Sequence, residues 1–219
     1  MQKTNKYSYL TFLLAVMLLT DCQTIHKMWK PIINSKNSSD MTEYESFDIS
    51  PYKDMINPIR KELDYYYTKE DGTEVYVYWR EGREADIREI PPKPYFHSVI
   101  ITFYPDDSLQ SKGAVIGSGR CRIGKWLECD EEGNCKIKDY EAHRGRFGYR
   151  EVLRFLEKKK YINLRTGEGR ETVSMRYSYE NHYWRADAGK HKDISYIIYT
   201  LDGNTGKVLD EELVINPQN

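Results

Sequence analysis

The sequence predicts an α+β protein in which antiparallel β-hairpins come first and a helix with a second antiparallel sheet follows. Three observations carry this. Tyr65-Tyr66-Tyr67 and Glu74-Val75-Tyr76-Val77-Tyr78-Trp79 are rich in aromatic and β-branched residues and flank Asp71-Gly72, a strong hairpin signal. The segment from Gly148 to Lys160 sets Val152, Phe155 and Leu156 at helical spacing, with Glu151 near its start and three lysines at its end, as the helix dipole favours. Strand-forming stretches at about Glu171 to Glu180, Tyr183 to Ala186 and Ser195 to Leu201 then run to the turn Asp202-Gly203-Asn204-Thr205-Gly206 and a last strand at Lys207-Val208-Leu209.

The 219 residues suffice for one sizeable core or two small ones, and the division expected is residues 46–140 and 141–219. Charged residues make up 31% and hydrophobic ones 39%, while 19 Tyr and 4 Trp supply apolar surface with polar tips, a mixture suited to a sheet with one wet face. The formal net charge of −1 gives no overall field that would recruit nucleic acid or an anionic membrane.

At the N-terminus Lys3 and Lys6 precede an uncharged stretch from Tyr7 to Thr20. Its apolar centre, Leu10 to Leu19, is shorter than the roughly 20 residues of a membrane span. This is the pattern of a secretory signal peptide, residues 1–21. The approach Leu19-Thr20-Asp21-Cys22 resembles a bacterial lipobox, with Asp21 standing where a small residue is usual. The resemblance implies cleavage before Cys22, lipid attachment to its sulfur, and a chain held at the membrane on the periplasmic or outer-membrane face of the cell envelope. Residues 22–45, with Asn34-Ser35-Lys36-Asn37-Ser38-Ser39-Asp40 at their centre, read as a flexible tether.

Beyond the first hairpin, Glu81-Gly82 marks a second turn, and Pro91, Pro92 and Pro94 should interrupt the sheet before a strand at His97 to Tyr104. The run Phe103-Tyr104-Pro105-Asp106-Asp107-Ser108-Leu109-Gln110-Ser111-Lys112-Gly113 follows, then Ile123-Gly124-Lys125-Trp126 and Asp130-Glu131-Glu132-Gly133-Asn134. These resemble MORN-type repeats, each a hairpin, of the kind found in bacterial antitoxin-component proteins. One and a half repeats are legible, too few for a free-standing solenoid, so this sheet must take part of its core from elsewhere. The ending Leu201-Asp202-Gly203-Asn204-Thr205-Gly206-Lys207-Val208-Leu209 resembles a PepSY-like domain spanning residues 141–219. That resemblance implies an extracytoplasmic α+β module with protease inhibition or envelope signalling among its roles.

Several segments carry residues with chemical potential. Gly119-Arg120-Cys121-Arg122-Ile123-Gly124-Lys125 has phosphate-loop spacing, but Trp126 replaces the Ser or Thr that holds magnesium, and the surroundings read as a hairpin. Cys121, Cys129, Cys135 and His143 approach a zinc-finger pattern, with Asp139 where the histidine is wanted. An exported chain favours a disulfide instead. Cys129 and Cys135 flank a turn and are the preferred pair, with Cys121 bonded to either as the alternative. The five histidines show no spacing that would put two on one metal, and Ser118 is not in a hydrolase elbow. Arg144, Arg146, Arg150 and Arg154 are interleaved with Glu141, Glu151 and Glu157 and read as a solvated face. Tyr177, Tyr179, Tyr183 and Trp184 are the candidate binding surface, with core packing as their other use.

The expectation is therefore a non-enzymatic envelope lipoprotein with no catalytic residue, metal or cofactor. It would bind an unknown envelope protein, a toxin in an immunity-like role or, in the alternative PepSY-type reading, a protease or signalling partner. The membrane is met through the lipid, and nucleic acid is not a partner.

Overall fold

The computed structural model describes residues 46–117, 121–189 and 195–215. Eleven strands and one ten-residue helix account for the regular structure of these residues, apart from short 3-10 turns. The protein is thus mainly β, which corrects the expected α+β class. Four strands of five to eight residues outweigh the single helix even in the C-terminal half where the helix-plus-sheet module was expected. Both sheets belong to one compact unit.

Seven strands form an antiparallel meander in chain order: β1 (Glu62–Thr68), β2 (Glu74–Arg80), β3 (Ala85–Ile90), β4 (His97–Phe103), β5 (Leu109–Ile116), β6 (Cys121–Cys129) and β7 (Cys135–Asp139). In the β1–β2 turn Asp71 Oδ1 accepts the Thr73 N–H at 2.9 Å while Gly72 takes φ +83°, a conformation that costs glycine little. Alternation then sends Leu63, Val75 and Val77 to one face and Tyr66, Tyr76 and Tyr78 to the other.

The inner face acquires its opposing layer from the residues just before β1. Phe47 donates its backbone N–H to Asp107 O at 2.9 Å and is buried against Phe103 at 5.4 Å between ring centroids. Ile49 and Tyr52 follow it over Leu63, Val75, Val77 and Leu109. The apolar face of this sheet is closed by the chain's own N-terminal flank, the buried Phe47 contributing about 1.5–3 kcal/mol.

The second sheet has the order β11-β10-β9-β8, from β8 (Ser174–Ser178), β9 (Tyr183–Ala188), β10 (Ser195–Asp202) and β11 (Val208–Ile215). Helix α1 (Tyr149–Lys158) opens with Glu151 Oε2 accepting the Gly148 N–H at 3.0 Å, and buries Val152, Leu153 and Leu156. Its Phe155 meets Tyr199 edge-on at 5.0 Å, while the small Ala186 and Ala188 leave room on the same sheet face. The Asp202 carboxylate gathers the N–H groups of Asn204 and Thr205, which fixes the turn into β11. The two sheets are joined where Arg170 donates to Pro91 O at 2.7 Å, where Lys93 pairs with Glu171 at 3.1 Å, and where the Tyr179 hydroxyl donates to Tyr140 O at 3.2 Å.

Candidate interaction surface

Of the residues singled out from sequence, Cys22 lies outside the described residues, as do the leader and the tether. Cys129 and Cys135 are register partners at the end of the β6–β7 hairpin and are joined by a disulfide. Cys121 is buried and free, and burial pushes its thiol pKa up. The Cys121, Cys129, Cys135 and His143 set therefore has two of its four members committed to each other, and among the described residues no group of three His, Cys, Asp or Glu is placed to hold a metal. Of the phosphate-loop-like run, Cys121 to Lys125 belongs to β6, a strand where a helix would be required.

The four aromatic residues of the expected binding surface do not make one exposed face. Trp184 is fully buried and donates its Nε1–H to Phe147 O at 2.6 Å. Tyr177 packs on Trp184 at 5.0 Å and accepts the Gly145 N–H at 3.2 Å. Tyr179 is exposed, and Tyr183 lies on the opposite side of the sheet from Trp184. The organising group is Arg144, whose side chain is only 3% exposed. Its guanidinium lies 4.9 Å from the Trp184 ring and 5.9 Å from both Tyr177 and Tyr179. It pairs with Glu141 at 2.6 Å and donates to Arg122 O at 2.6 Å. This corrects the reading of Arg144 as part of a solvated helical face: it precedes α1 and ties the second sheet to β6. Burial raises the Glu141 carboxyl pKa, and the Arg144 charge beside it opposes that rise. The arrangement is a structural clasp with its donors and acceptors turned inward.

Two surfaces among the described residues expose large apolar side chains: β11, with Leu209, Leu213 and Ile215, and the outer face of the first sheet, which carries aromatics. Tyr66, Tyr76 and Tyr78 project from β1 and β2 with 50%, 40% and 38% of their area exposed. Tyr66 and Tyr76 are direct cross-strand partners with ring centroids 4.9 Å apart. Tyr78 lies between Asp64 on β1 and Asp86 on β3, each its register partner. The Tyr66 hydroxyl is hydrogen-bonded to Thr68 Oγ1 at 3.2 Å, and the Tyr76 hydroxyl donates to Glu74 at 3.3 Å. Exposed aromatics with polar tips, held by strand backbone and by each other, lose little side-chain freedom on contact and make good binding anchors. Their place was available from sequence: the Asp-Gly turn fixes the register that pairs Tyr66 with Tyr76, although the residues read there only as strand formers.

Across the same face, the β4 to β7 half is closed. Trp126 lies over Gly113, buried beneath the Arg122 guanidinium at 4.3 Å and the edge of Tyr140. Tyr140 in turn donates to Glu128 at 2.6 Å, and Arg122 pairs with Glu128 at 2.9 Å. One open depression, of about 590 Å³, lies beside Lys93, Glu157, Lys160, Tyr161 and Glu171. Its Lys93 and Glu171 pair with each other, and Glu157 accepts the Leu164 N–H. Among the described residues no helix is long and apolar enough to cross a membrane. Comparison with protein-family models, with curated proteins and with solved structures finds no match.

Proposed function

We propose that the protein is a non-enzymatic lipoprotein of the cell envelope, attached through Cys22, that binds another protein through the open face of β1–β3. Its role is immunity-like or antitoxin-like: it occupies a harmful or secreted protein by surface contact and performs no chemistry on it. The observation that carries this reading is the trio of exposed tyrosines side by side on one paired sheet face, with Tyr66 and Tyr76 in ring contact, whereas in the Tyr177–Trp184 cluster only Tyr179 is exposed. The charged leader, the short apolar core and the cysteine after Leu19-Thr20-Asp21 support the address, and the repeat-like segment from Phe103 to Asn134 supports the antitoxin-like role.

The test has two arms in the native host. Cys22→Ser is expected to move the protein from the membrane fraction to the soluble fraction; unchanged fractionation overturns the lipid attachment. A photo-crosslinking residue at position 66 is expected to trap a discrete envelope protein, with loss of the adduct when Tyr76 and Tyr78 are both changed to Ser in a chain that keeps its circular dichroism. Absence of any adduct, or an adduct indifferent to the two substitutions, overturns the binding face.

A further inference from the structure

The chemistry of this face narrows its partner. On the outward side of β1–β3 the ionisable positions other than tyrosine are Glu62, Asp64, Glu74 and Asp86 against Arg80 and Arg88, so carboxylates exceed guanidiniums by two. Arg80 is engaged by Glu62 in an ion pair and also neighbours the Tyr78 hydroxyl. Arg88 reaches Ser98 Oγ at 3.3 Å. Asp64 and Asp86, one on each side of Tyr78, have no ion-pair partner among the described residues. The basic side chains farther along the same face, Arg122, Lys136 and Lys138, belong to β6 and β7. At about 4.8 Å per strand these stand roughly 20 Å from Tyr78, beyond the Debye length of about 8 Å at physiological salt. Arg122 and Lys138 are moreover held by Glu128 and by the Tyr140 ring.

An aromatic ring presents negative potential on its face, and a carboxylate on either side deepens it. Tyr78 stands between Asp64 and Asp86, and Tyr66 lies two residues from Asp64 on the same face, whereas Tyr76 has Arg88 as its β3 partner and Glu74 beside it, so the acidic end at Tyr78 and Tyr66 is complementary to ammonium or guanidinium groups and repels phosphate or carboxylate. Resting on the binding function proposed above, we infer that the β1–β3 face takes an extended, lysine- or arginine-bearing segment of its protein partner. The cations lie against Tyr78 and Tyr66, and Asp64 and Asp86 supply the counter-charge. Alternate residues of an extended segment point the same way about 7 Å apart, the same spacing as alternate residues along one strand of the platform, such as Asp64 and Tyr66 on β1.

The test uses the purified chain and two synthetic ten-residue peptides, one alternating Lys with Ser and one alternating Glu with Ser, titrated to millimolar concentration while the tyrosine ring signals are followed by NMR. The Lys peptide is expected to shift the Tyr66 and Tyr78 rings, and the Glu peptide to leave them unmoved. The combined Asp64→Asn and Asp86→Asn variant, which removes charge but little volume, is expected to weaken binding about tenfold, each surface pair contributing about three- to fivefold. Raising salt from about 50 to 300 mM should weaken the native chain more than this variant. Equal shifts with both peptides, tighter binding of the Glu peptide, no shift with the Lys peptide, or unchanged affinity in the variant each overturn the inference. The crosslinking experiment at position 66 separates the two levels: an adduct there alongside failure of the Lys peptide retains the binding function and rejects only the cationic class.

Discussion

Gly113→Ala should be among the most damaging single-methyl additions in the first sheet. Opposite Gly113 the β5–β6 register shifts: Lys112 pairs with Leu127 but Ala114 with Ile123, so Gly124, Lys125 and Trp126 are accommodated against one residue. The slack is taken up by Trp126, which folds over the bare backbone of Gly113. A Cβ there would lie 2.2 Å from Trp126 Cδ2 and 2.4 Å from Cε2, far inside a carbon–carbon contact. The ring has no free direction: Nε1 donates to Ala114 O at 3.1 Å and the Arg122 guanidinium lies 4.3 Å from the ring centroid. Overpacking costs about 1–3 kcal/mol, and loss of the buried hydrogen bond adds about 1 kcal/mol, so a loss of about 2–4 kcal/mol is expected. Urea unfolding followed by circular dichroism measures it. A double-mutant cycle identifies its cause, because in a Trp126→Leu background the same alanine should cost less than about 1 kcal/mol. A loss below about 0.5 kcal/mol, or costs that simply add, would refute the account of the Gly113–Trp126 contact. The pairing also gives the repeat-like Lys-Gly…Gly-Lys-Trp pattern a physical meaning, since the glycine is the seat of the tryptophan.

Arg144→Met should destabilise by about 3 kcal/mol, because it leaves Glu141 half-buried without its cation and Arg122 O without its donor, and Arg144→Lys should not restore the loss, since an ammonium cannot span those partners while lying against Trp184; a loss under about 1 kcal/mol by urea unfolding contradicts the clasp. Reducing the Cys129–Cys135 disulfide, whose partners are six residues apart, removes a small loop constraint and should lower stability by about 2 kcal/mol, read by unfolding with and without reductant; no change with reductant would mean that the bridge does not restrain the unfolded chain. His97 is half-buried with Nε2 unpartnered, and burial pushes its pKa down, so the unfolded chain takes up a proton before the folded one does. Its neutral form is accommodated without loss above about pH 6.5, and stability should fall as the pH drops below that value; the decline between neutral and acid pH, followed by thermal melting, should be shallower in His97→Phe, and an equal or steeper decline contradicts the assignment.

Alternation along a strand tells which side chains share a face but not which face is covered, and this limits what the sequence discloses. The first hairpin is legible because Asp71-Gly72 fixes both turn and register, and β4, α1, β9 and β10 fall where apolar periodicity and turn residues place them. β3 is not legible: Ala85-Asp86-Ile87-Arg88-Glu89-Ile90 is as charged as a solvated helix, and its strand conformation is imposed by β2 and β4 on either side. The protein is mainly β although the sequence predicts α+β, because the one well-patterned amphipathic segment, α1, covers part of a sheet with ten residues and does not form a layer.

The four aromatics of the expected binding surface do not share one exposed face for a related reason. Tyr177, Tyr179 and Trp184 have the composition of a contact surface, but Arg144, more than thirty residues earlier in the chain, draws their rings around its guanidinium, and nothing in local spacing announces so distant a partner. Tyr65, Tyr66 and Tyr67 differ only in parity, and yet Tyr65 and Tyr67 pack toward the cluster that Phe47 and Ile49 close, while Tyr66 faces outward beside Tyr76. What decides core or contact is the arrival of a covering segment. On the inner face residues 46–55 supply one; on the outer face Trp126, Arg122 and Tyr140 close the far half, leaving the three tyrosines of β1 and β2 as the uncovered remainder. Asp64 and Asp86 fit that division, because unpaired carboxylates beside Tyr78 would be costly to enclose without a cation and cost little while they stay wet.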